Sequence, residues 1–594
     1  MTARTMQADT IPALLAQRCA ATPDGTAYLQ EVGTGEWQRT TWSEFAAQVQ
    51  RLRLALAGAG LRHGDRMALI APVSLQWECL HHAALGLGVV VVGLDAHDLP
   101  QRLADMLDQA NVSAIVTSSR RAVSGATPER LAACKLLLDL SSAAPDTDSS
   151  HGWHVWTDLD RLAASSACGS SLSPAAVAAG DLATIIFTSG TTGAPKGIAF
   201  SHGQVILAVT AICDAFSFAG PHTHLLCWLP LSNLFQRIVN LAALRQGPAT
   251  YLLGDPRRVM DAVASANPDI FIGVPRFYEK LRAGILSSLA ARPPLSRAVV
   301  HWAWGIGRQL QAVRRAGGPP PWWLALLHQC ADRLVLRRVR AVMGDRLQCM
   351  VSGSAPLPRQ VLEDLQALGW LVLESYGTSE NILPMAMNRI DAHRMGTVGR
   401  PVAGNEIDIA ADGAIRVRGP GMFHGYLGQP ASSALDADGW YQTGDIGTRD
   451  ADGFLTLTGR SSDLIKTSTG RRIAPAGIES VLGAVPGIDQ AIVLGAGRKC
   501  AVALCTCTSA QPAAAVRLAI EPALRAALSG LSDHERPAAI ALLPRAFSID
   551  DGDLTPNLKM RRDAIARRHA ALVDVLYDAI DNGGSDRPDV LVLT

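Results

Sequence analysis

The chain carries no excess charge of one sign: 54 Lys and Arg residues face 53 Asp and Glu, for a formal net charge of +1. No basic field invites nucleic acid as a partner, and no acidic tail marks a disordered effector. Long hydrophobic runs are missing as well. The longest uncharged apolar run, near Ala83 to Leu94, is shorter than the ~20 residues a membrane-spanning helix needs. The first ten residues lack the apolar core of a secretory signal, so the expected setting is cytoplasmic. Cysteine occurs 11 times, an odd number without framework spacing, which argues against a secreted disulfide scaffold and fits free thiols. Cys500, Cys505 and Cys507 form the only local cluster, in an apolar run with no nearby histidine, and read as buried strand residues rather than metal ligands. There is no Gly-x-Ser-x-Gly elbow to support a serine acyl-enzyme, and no internal repeat.

What is present is length and patterning. At 594 residues, 48% of them hydrophobic, the chain exceeds what one core accommodates and should divide into two or more domains. Apolar runs that read as buried strands, Met67 to Ala71, Val89 to Leu94 and Ser113 to Val116, alternate with helix-length segments at Leu75 to Leu87 and Pro100 to Ala110. That is βαβ organisation. It resumes with Leu225 to Leu229, Thr250 to Leu253, Asp269 to Val274 and Leu347 to Val351, which predicts a second α/β layer set. After about Gly396 the texture changes to short strands and tight turns, with Asp412-Gly413 supplying a hairpin turn. Ser141 to Ser173, rich in Ser, Ala and Asp, reads as a loop. Trp322-Trp323, after three prolines, precede an amphipathic stretch bearing arginines through Arg340. A Trp pair opening a surface helix is commonly ordinary packing; the alternative is peripheral contact with a membrane.

The most informative stretch runs from Thr184 to Gly197, Thr-Ile-Ile-Phe-Thr-Ser-Gly-Thr-Thr-Gly-Ala-Pro-Lys-Gly. It sets a hydroxyl- and glycine-rich loop directly after a buried-strand pattern. Gly190, Gly193 and Gly197 let backbone approach an anion without a Cβ in the way, Thr188, Ser189, Thr191 and Thr192 offer hydroxyls, and Lys196 offers positive charge. The Gly-x-x-x-x-Gly-Lys-Ser/Thr order of the common phosphate loop is not the order found here. Four further stretches follow: Val351-Ser-Gly-Ser-Ala-Pro-Leu, Glu374-Ser-Tyr-Gly-Thr-Ser-Glu, Gly439-Trp-Tyr-Gln-Thr-Gly-Asp running on to Arg460, and Asp553-Leu-Thr-Pro-Asn-Leu-Lys-Met-Arg-Arg. An aromatic ring with small neighbours suits a flat base, a carboxylate suits a vicinal diol or a hard divalent cation, and a flexible ammonium suits two anions brought together.

In this order the stretches closely resemble the adenylate-forming superfamily of acyl-CoA synthetases, nonribosomal-peptide adenylation domains and luciferases. The likeness runs from about Ile11 to Ile565 and is nearest to long-chain fatty acyl-CoA synthetases, through Leu229-Pro-Leu-Ser-Asn-Leu-Phe-Gln-Arg and Gly273-Val-Pro-Arg-Phe-Tyr-Glu-Lys. The resemblance implies a large N-terminal domain, residues 1–459, of two α/β subdomains plus a β-rich subdomain, and a small mobile α+β lid, residues 460–594. It implies that Thr188, Ser189, Gly190, Thr191, Thr192, Gly193 and Lys196 embrace the phosphates of ATP, that Gly353, Ser354 and Ala355 line adenine, and that Tyr376, with Gly377 and Thr378, stacks on it. Glu380 would help bind Mg²⁺, Asp445 the ribose hydroxyls, and Arg460 the ribose and phosphate. Ser462 stands at the hinge where Asp or Lys is usual. Gly470, preceded by Thr469, would admit the pantetheine arm of coenzyme A, and Lys559 would bridge carboxylate and α-phosphate. Asn233 stands where histidine is usual and Gln236 where glutamate is usual.

The implied reaction is ATP-dependent activation of a fatty acid or other hydrophobic carboxylic acid to an acyl-adenylate, followed by transfer to CoA. Alternatives are a fatty acyl-AMP ligase serving an acyl carrier protein, and a non-catalytic nucleotide- or acyl-binding regulator.

Overall fold

The apolar runs become the inner strands of two large sheets. The computed structural model describes residues 8–141, 152–164, 177–188, 195–430, 434–461, 463–468, 471–507, 513–548, 551–554, 560–584 and 587–593. In the first sheet the spatial order is His154–Val155, Leu136–Asp139, Ala114–Thr117, Arg66–Ile70, Val90–Leu94, Leu182–Thr188 and Lys196–Ser201. All neighbours are parallel except the last pair, which is antiparallel. Helices Leu75–Gly86 and Pro100–Ala110 make the crossovers. The second of these begins on proline, which needs no N–H partner there, and ends on Asn111 in the left-handed region at φ 45°.

The second sheet has nine strands. Val372–Tyr376, Cys349–Ser352, Ile270–Gly273, His224–Cys227, Ala249–Leu252 and Thr26–Gly33 run parallel, flanked by antiparallel edges. The innermost strands of both sheets are apolar on both faces because helices cover both faces. One continuous apolar cluster joins the two sheets, from Ile11 through Trp77, Phe200 and Phe271 to Leu455.

The Asp412-Gly413 hairpin forms as the pattern requires: Glu406–Ile409 pairs antiparallel with Ala414–Arg418, and Gly413 takes φ 85°, open to glycine at no steric cost. Tyr441–Arg449 and Leu455–Arg460 complete a four-stranded antiparallel sheet. From Ile465 onward the side chains build cores of their own. The sheet of Gln490–Leu494, Val502–Thr506, Ala539–Leu543 and Val590–Val592 alternates its residues between them. Ala491 and Val493 face one cluster, with helices Pro475–Gly483 and Ala513–Leu528; Ile492 and Leu494 face the other, with Ala570–Asp581. Cys505 is buried within the strand Val502–Thr506 as expected, and Cys507 is buried just beyond it, where burial pushes its thiol up to about 11; Cys500, also expected to be a buried strand residue, is instead half-buried and precedes the strand, where the chain bends.

Two expectations need correction. Within Ser141 to Ser173 the described residues hold regular structure: His154–Val155 extends the first sheet, and Leu159–Ala164 is a helix whose Leu159 is buried in the main core. The N-terminal hairpin Thr26–Gly33 and Glu36–Thr41 was not legible, and it joins the second sheet by pairing Tyr28 with Thr250. No helix among the described residues is long and apolar enough to cross a membrane.

Candidate functional site

The site lies where the C-terminal ends of parallel strands meet the β-rich unit, the usual ligand crevice of open α/β sheets. Thr188 ends the strand Leu182–Thr188 and is paired with Lys196 at the start of the antiparallel strand Lys196–Ser201. Ser189, Gly190, Thr191, Thr192 and Gly193 lie outside the described residues. Gly197 serves a purpose other than anion approach. A Cβ there would stand 2.5 Å from Leu427 Cδ1, and Leu427 N donates to the Gly197 carbonyl at 2.9 Å, so the glycine admits the neighbouring chain.

The next two motifs leave adjacent parallel strands side by side. Gly353, Ser354 and Ala355 follow Cys349–Ser352; Ser354 and Ala355 are exposed, and Ser354 holds φ 73°, a strained conformation for a residue with a Cβ. Tyr376 ends the neighbouring strand, followed by exposed Gly377 and half-buried Thr378. The Thr378 hydroxyl and the Ser352 hydroxyl are buried with no hydrogen-bond partner among the described residues. Such groups are stable only with a partner, so both fit a polar ligand at this end of the sheet.

Tyr376, Asp445 and Arg460, from three separate motifs, come together. The Tyr376 hydroxyl donates to Asp445 Oδ2 at 2.5 Å, and Arg460 Nε donates to Asp445 Oδ1 at 2.6 Å. Asp445 and Arg460 are register partners on neighbouring antiparallel strands, and Thr443 Oγ1 accepts from the Asp445 amide at 3.0 Å. Burial, and then the Asp445 charge, pushes the Tyr376 phenol far up, so it remains a donor.

Glu380 lies four residues beyond Tyr376. Its Oε1 accepts from the Tyr426 hydroxyl at 2.8 Å, and Lys196 Nζ sits 4.9 Å from the centroid of the same tyrosine ring. Tyr426 thus joins the Glu380 carboxylate to the lysine that opens the strand Lys196–Ser201; burial and then Glu380 push its phenol up to about 12. Sequence reasoning missed Tyr426. It lies in an irregular stretch 46 residues from Glu380, where no periodicity signals the contact. A carboxylate oxygen on a strand-end loop beside an ammonium is a donor set that fits Mg²⁺ with phosphates.

The departures at 233 and 236 have local reasons. Asn233 caps the helix Leu234–Gln246, its Oδ1 accepting from Phe235 N at 3.0 Å. Gln236 is fully buried and donates to Asn240 Oδ1 at 3.0 Å, while Asn240 donates to Glu78 Oε1 at 2.6 Å. Arg237, also buried, donates to Thr184 Oγ1 at 2.7 Å and so ties this helix to the strand Leu182–Thr188. Burial lowers the Arg237 guanidinium to about 10 and His82 to about 3. Glu78, His81 and His82 are the only cluster of metal-ligand type among the described residues. Asn240 already donates to Glu78 and Arg237 supplies positive charge beside it, so we read the cluster as a buried polar network.

Ser462, Thr469, Gly470 and Lys559 lie outside the described residues. Among the described residues nearby, Leu554 and Met560 form an antiparallel bridge, and Arg568 pairs with Asp551 at 2.8 Å and Asp553 at 3.1 Å.

A family model of AMP-binding enzymes matches residues 15–427, and one of the AMP-binding enzyme C-terminal domain matches residues 462–581. Over its length the chain is 28% identical to the long-chain-fatty-acid–CoA ligase FadD15 of Mycobacterium tuberculosis, covering 96% of this chain and 97% of that one. It is 30% identical to the human long-chain-fatty-acid–CoA ligase 1, over 67% of this chain and 61% of the human one. Among solved structures, the anthranilate CoA ligase AuaEII in complex with anthranoyl-AMP superposes with a TM-score of 0.73 at 18% identity, covering 96% and 98% of the two chains. The o-succinylbenzoate coenzyme A synthetase MenE of Bacillus subtilis, in complex with AMP, superposes with 0.65 at 21%, covering 93% and 97%. At those identities the superpositions speak to the fold. The two family matches together span most of the chain, Tyr376 included, and on that ground the chain belongs to the AMP-binding enzyme family.

Proposed function

We propose that the chain is an ATP-dependent fatty acid–CoA ligase that forms AMP. The observation that carries the reading is the convergence of Tyr376, Asp445 and Arg460, a flat ring, a diol acceptor and a guanidinium on one carboxylate. The nature of the acid comes from the relatives named as long-chain-fatty-acid–CoA ligases.

In the first half-reaction a carboxylate oxygen attacks the α-phosphorus of ATP, an O–P bond forms, the α–β bridge breaks, and pyrophosphate leaves. Little covalent chemistry falls to the protein, so positioning and charge neutralisation supply the acceleration. Thr188 and the Ser189–Gly193 segment would hold the phosphates with Lys196; Gly353, Ser354, Ala355, Tyr376, Gly377 and Thr378 would hold adenine; Asp445 and Arg460 would hold the ribose. Glu380, oriented by Tyr426, would hold Mg²⁺, which when bound neutralises phosphate charge. Lys559 would bridge the two anions. In the second half-reaction the CoA thiolate attacks the acyl carbonyl, the mixed anhydride breaks, and AMP leaves. We place the boundary of the rotating lid at 459/460, with the pantetheine arm entering past Gly470. A cytoplasmic setting is supported by ten free cysteines among the described residues. Fatty acids partition into bilayers, so peripheral membrane contact belongs to this reading.

The test is pyrophosphate release across carboxylic acids from short to long, with and without CoA, followed by mass spectrometry of the acyl product. Acyl-CoA with a long-chain acid supports the proposal. Acyl-adenylate that accumulates despite CoA would assign the chain to a carrier-protein ligase. ATP binding without acid-dependent pyrophosphate release would make it a regulator.

A further inference from the structure

Residues 294–340 carry eight arginines against a single acidic residue, in a chain whose charges otherwise nearly balance. They form helix Pro294–Arg315 and a second helical run beginning at Trp322, joined by a link that ends in three prolines. The first helix is anchored by its inner face. Trp304 Nε1 donates to the Asp364 carbonyl at 3.1 Å, and Gly307 lies so close to Ala367 that a Cβ would stand 2.0 Å from its carbonyl oxygen. Its outer face shows Leu295, Val299 and Trp302, at helical spacing i, i+4 and i+7. On the second run the outer face shows Trp323, Leu326, Leu327 and Leu334, while Leu324, Ala331 and Val335 are buried. Trp322 is 79% exposed and Leu295 80%. Ordinary packing, the common fate of a Trp pair, is not theirs.

The same two helical runs carry the guanidinium groups. Arg308, Arg315 and Arg340 are paired with Asp364, Glu363 and Asp332. Arg297, Arg314, Arg333, Arg337 and Arg338 are exposed and have no acidic partner among the described residues. We propose that this helical pair docks on an anionic lipid bilayer, with Trp322, Trp323 and the leucines in the headgroup–acyl boundary and the free arginines on lipid phosphates. The charge pattern selects this occupant. A second copy of the chain would bring like-charged arginines together, and a soluble polyanion would leave Leu295, Leu326 and Leu334 in water. The inference takes its purpose, access to bilayer-borne acid, from the proposed activity, but its evidence is the surface itself.

The test is flotation of the full chain with vesicles of phosphatidylglycerol and phosphatidylcholine in equal amounts, against vesicles of phosphatidylcholine alone. We expect co-flotation with the anionic vesicles, weakening as ionic strength rises. Replacing Arg333, Arg337 and Arg338 by glutamine should weaken it about a hundredfold, and Trp322→Ala with Trp323→Ala roughly tenfold. Pyrophosphate release with a short, soluble acid should be unchanged in both variants, which separates failure of the surface from failure of the proposed activity. Equal flotation with neutral vesicles, parental binding by the arginine variant, or self-association through this face without vesicle binding would overturn the proposal.

Discussion

The Tyr376 hydroxyl and the Arg460 guanidinium occupy different oxygens of the same carboxylate, Asp445, at 2.5 and 2.6 Å. Asp445 is therefore held in one orientation, and a ribose diol would meet an acceptor already aimed. Asp445→Ala removes that acceptor and leaves two donors unpaired. We expect the KM for ATP to rise roughly 10- to 100-fold, the range of one or two charge-assisted hydrogen bonds, and the melting temperature to fall, because the buried Tyr376 hydroxyl is left without its acceptor while half-exposed Arg460 returns to water. Steady-state kinetics over an ATP series checks this; an unchanged KM would remove Asp445 from the nucleotide site.

Tyr426→Phe keeps the ring beneath Lys196 and deletes the donor to Glu380. If Glu380 holds Mg²⁺, the half-saturating Mg²⁺ concentration should rise about tenfold, in the range found on losing an outer partner of a metal ligand. Tyr426→Leu, which also removes the ring, should in addition raise the KM for ATP. A magnesium titration of pyrophosphate release distinguishes the two. A parental Mg²⁺ requirement in Tyr426→Phe would mean that the tyrosine serves packing alone.

Glu374 is nearly buried, and burial pushes its carboxyl from the ordinary range up to about 7. The folded chain then binds a proton that the unfolded chain has released between roughly pH 4.5 and 7, so this group lowers stability progressively as pH rises through that window and by a constant amount above it. Glu374→Gln removes the effect. Its melting temperature should match the parent near pH 4.5 and exceed it increasingly up to about pH 7. A gap independent of pH would show that Glu374 is not protonated in the folded chain.

Lys559→Ala should reduce pyrophosphate release severely while ATP binding persists, since the lysine is assigned to the transition state rather than to the nucleotide. Gly470→Trp should block thioester formation more than adenylate formation. Measuring the two half-reactions separately tests both, and equal loss of both in the tryptophan variant would remove the tunnel from the account.

Much of this was legible because the chemistry is contiguous in sequence. The pattern over Pro100 to Ala110 marks the helix at both ends, since proline opens it and Asn111 closes it. Several buried strands, such as Val90–Leu94, were placed within a residue or two from runs of apolar residues. What could not be read depends on partners far along the chain. Glu36–Thr41 is a polar edge strand with one fully buried residue, and its neighbour Thr26–Gly33 finds its parallel partner more than 200 residues later. The site shows the same division. Its motifs announce Tyr376, Asp445 and Arg460, but not that Tyr376 and Arg460 share the Asp445 carboxylate, nor that Tyr426 links Lys196 to Glu380. Gly197 was read as making room for an anion, yet the side chain it makes room for is Leu427.

The most direct measurement is the identity of the nucleotide formed when the chain is given ATP, Mg²⁺, CoA and a long-chain fatty acid. Acid-dependent AMP and pyrophosphate, in step with acyl-CoA, is the result expected of a carboxylate attacking the α-phosphorus. ADP and inorganic phosphate as the acid-dependent products would contradict it.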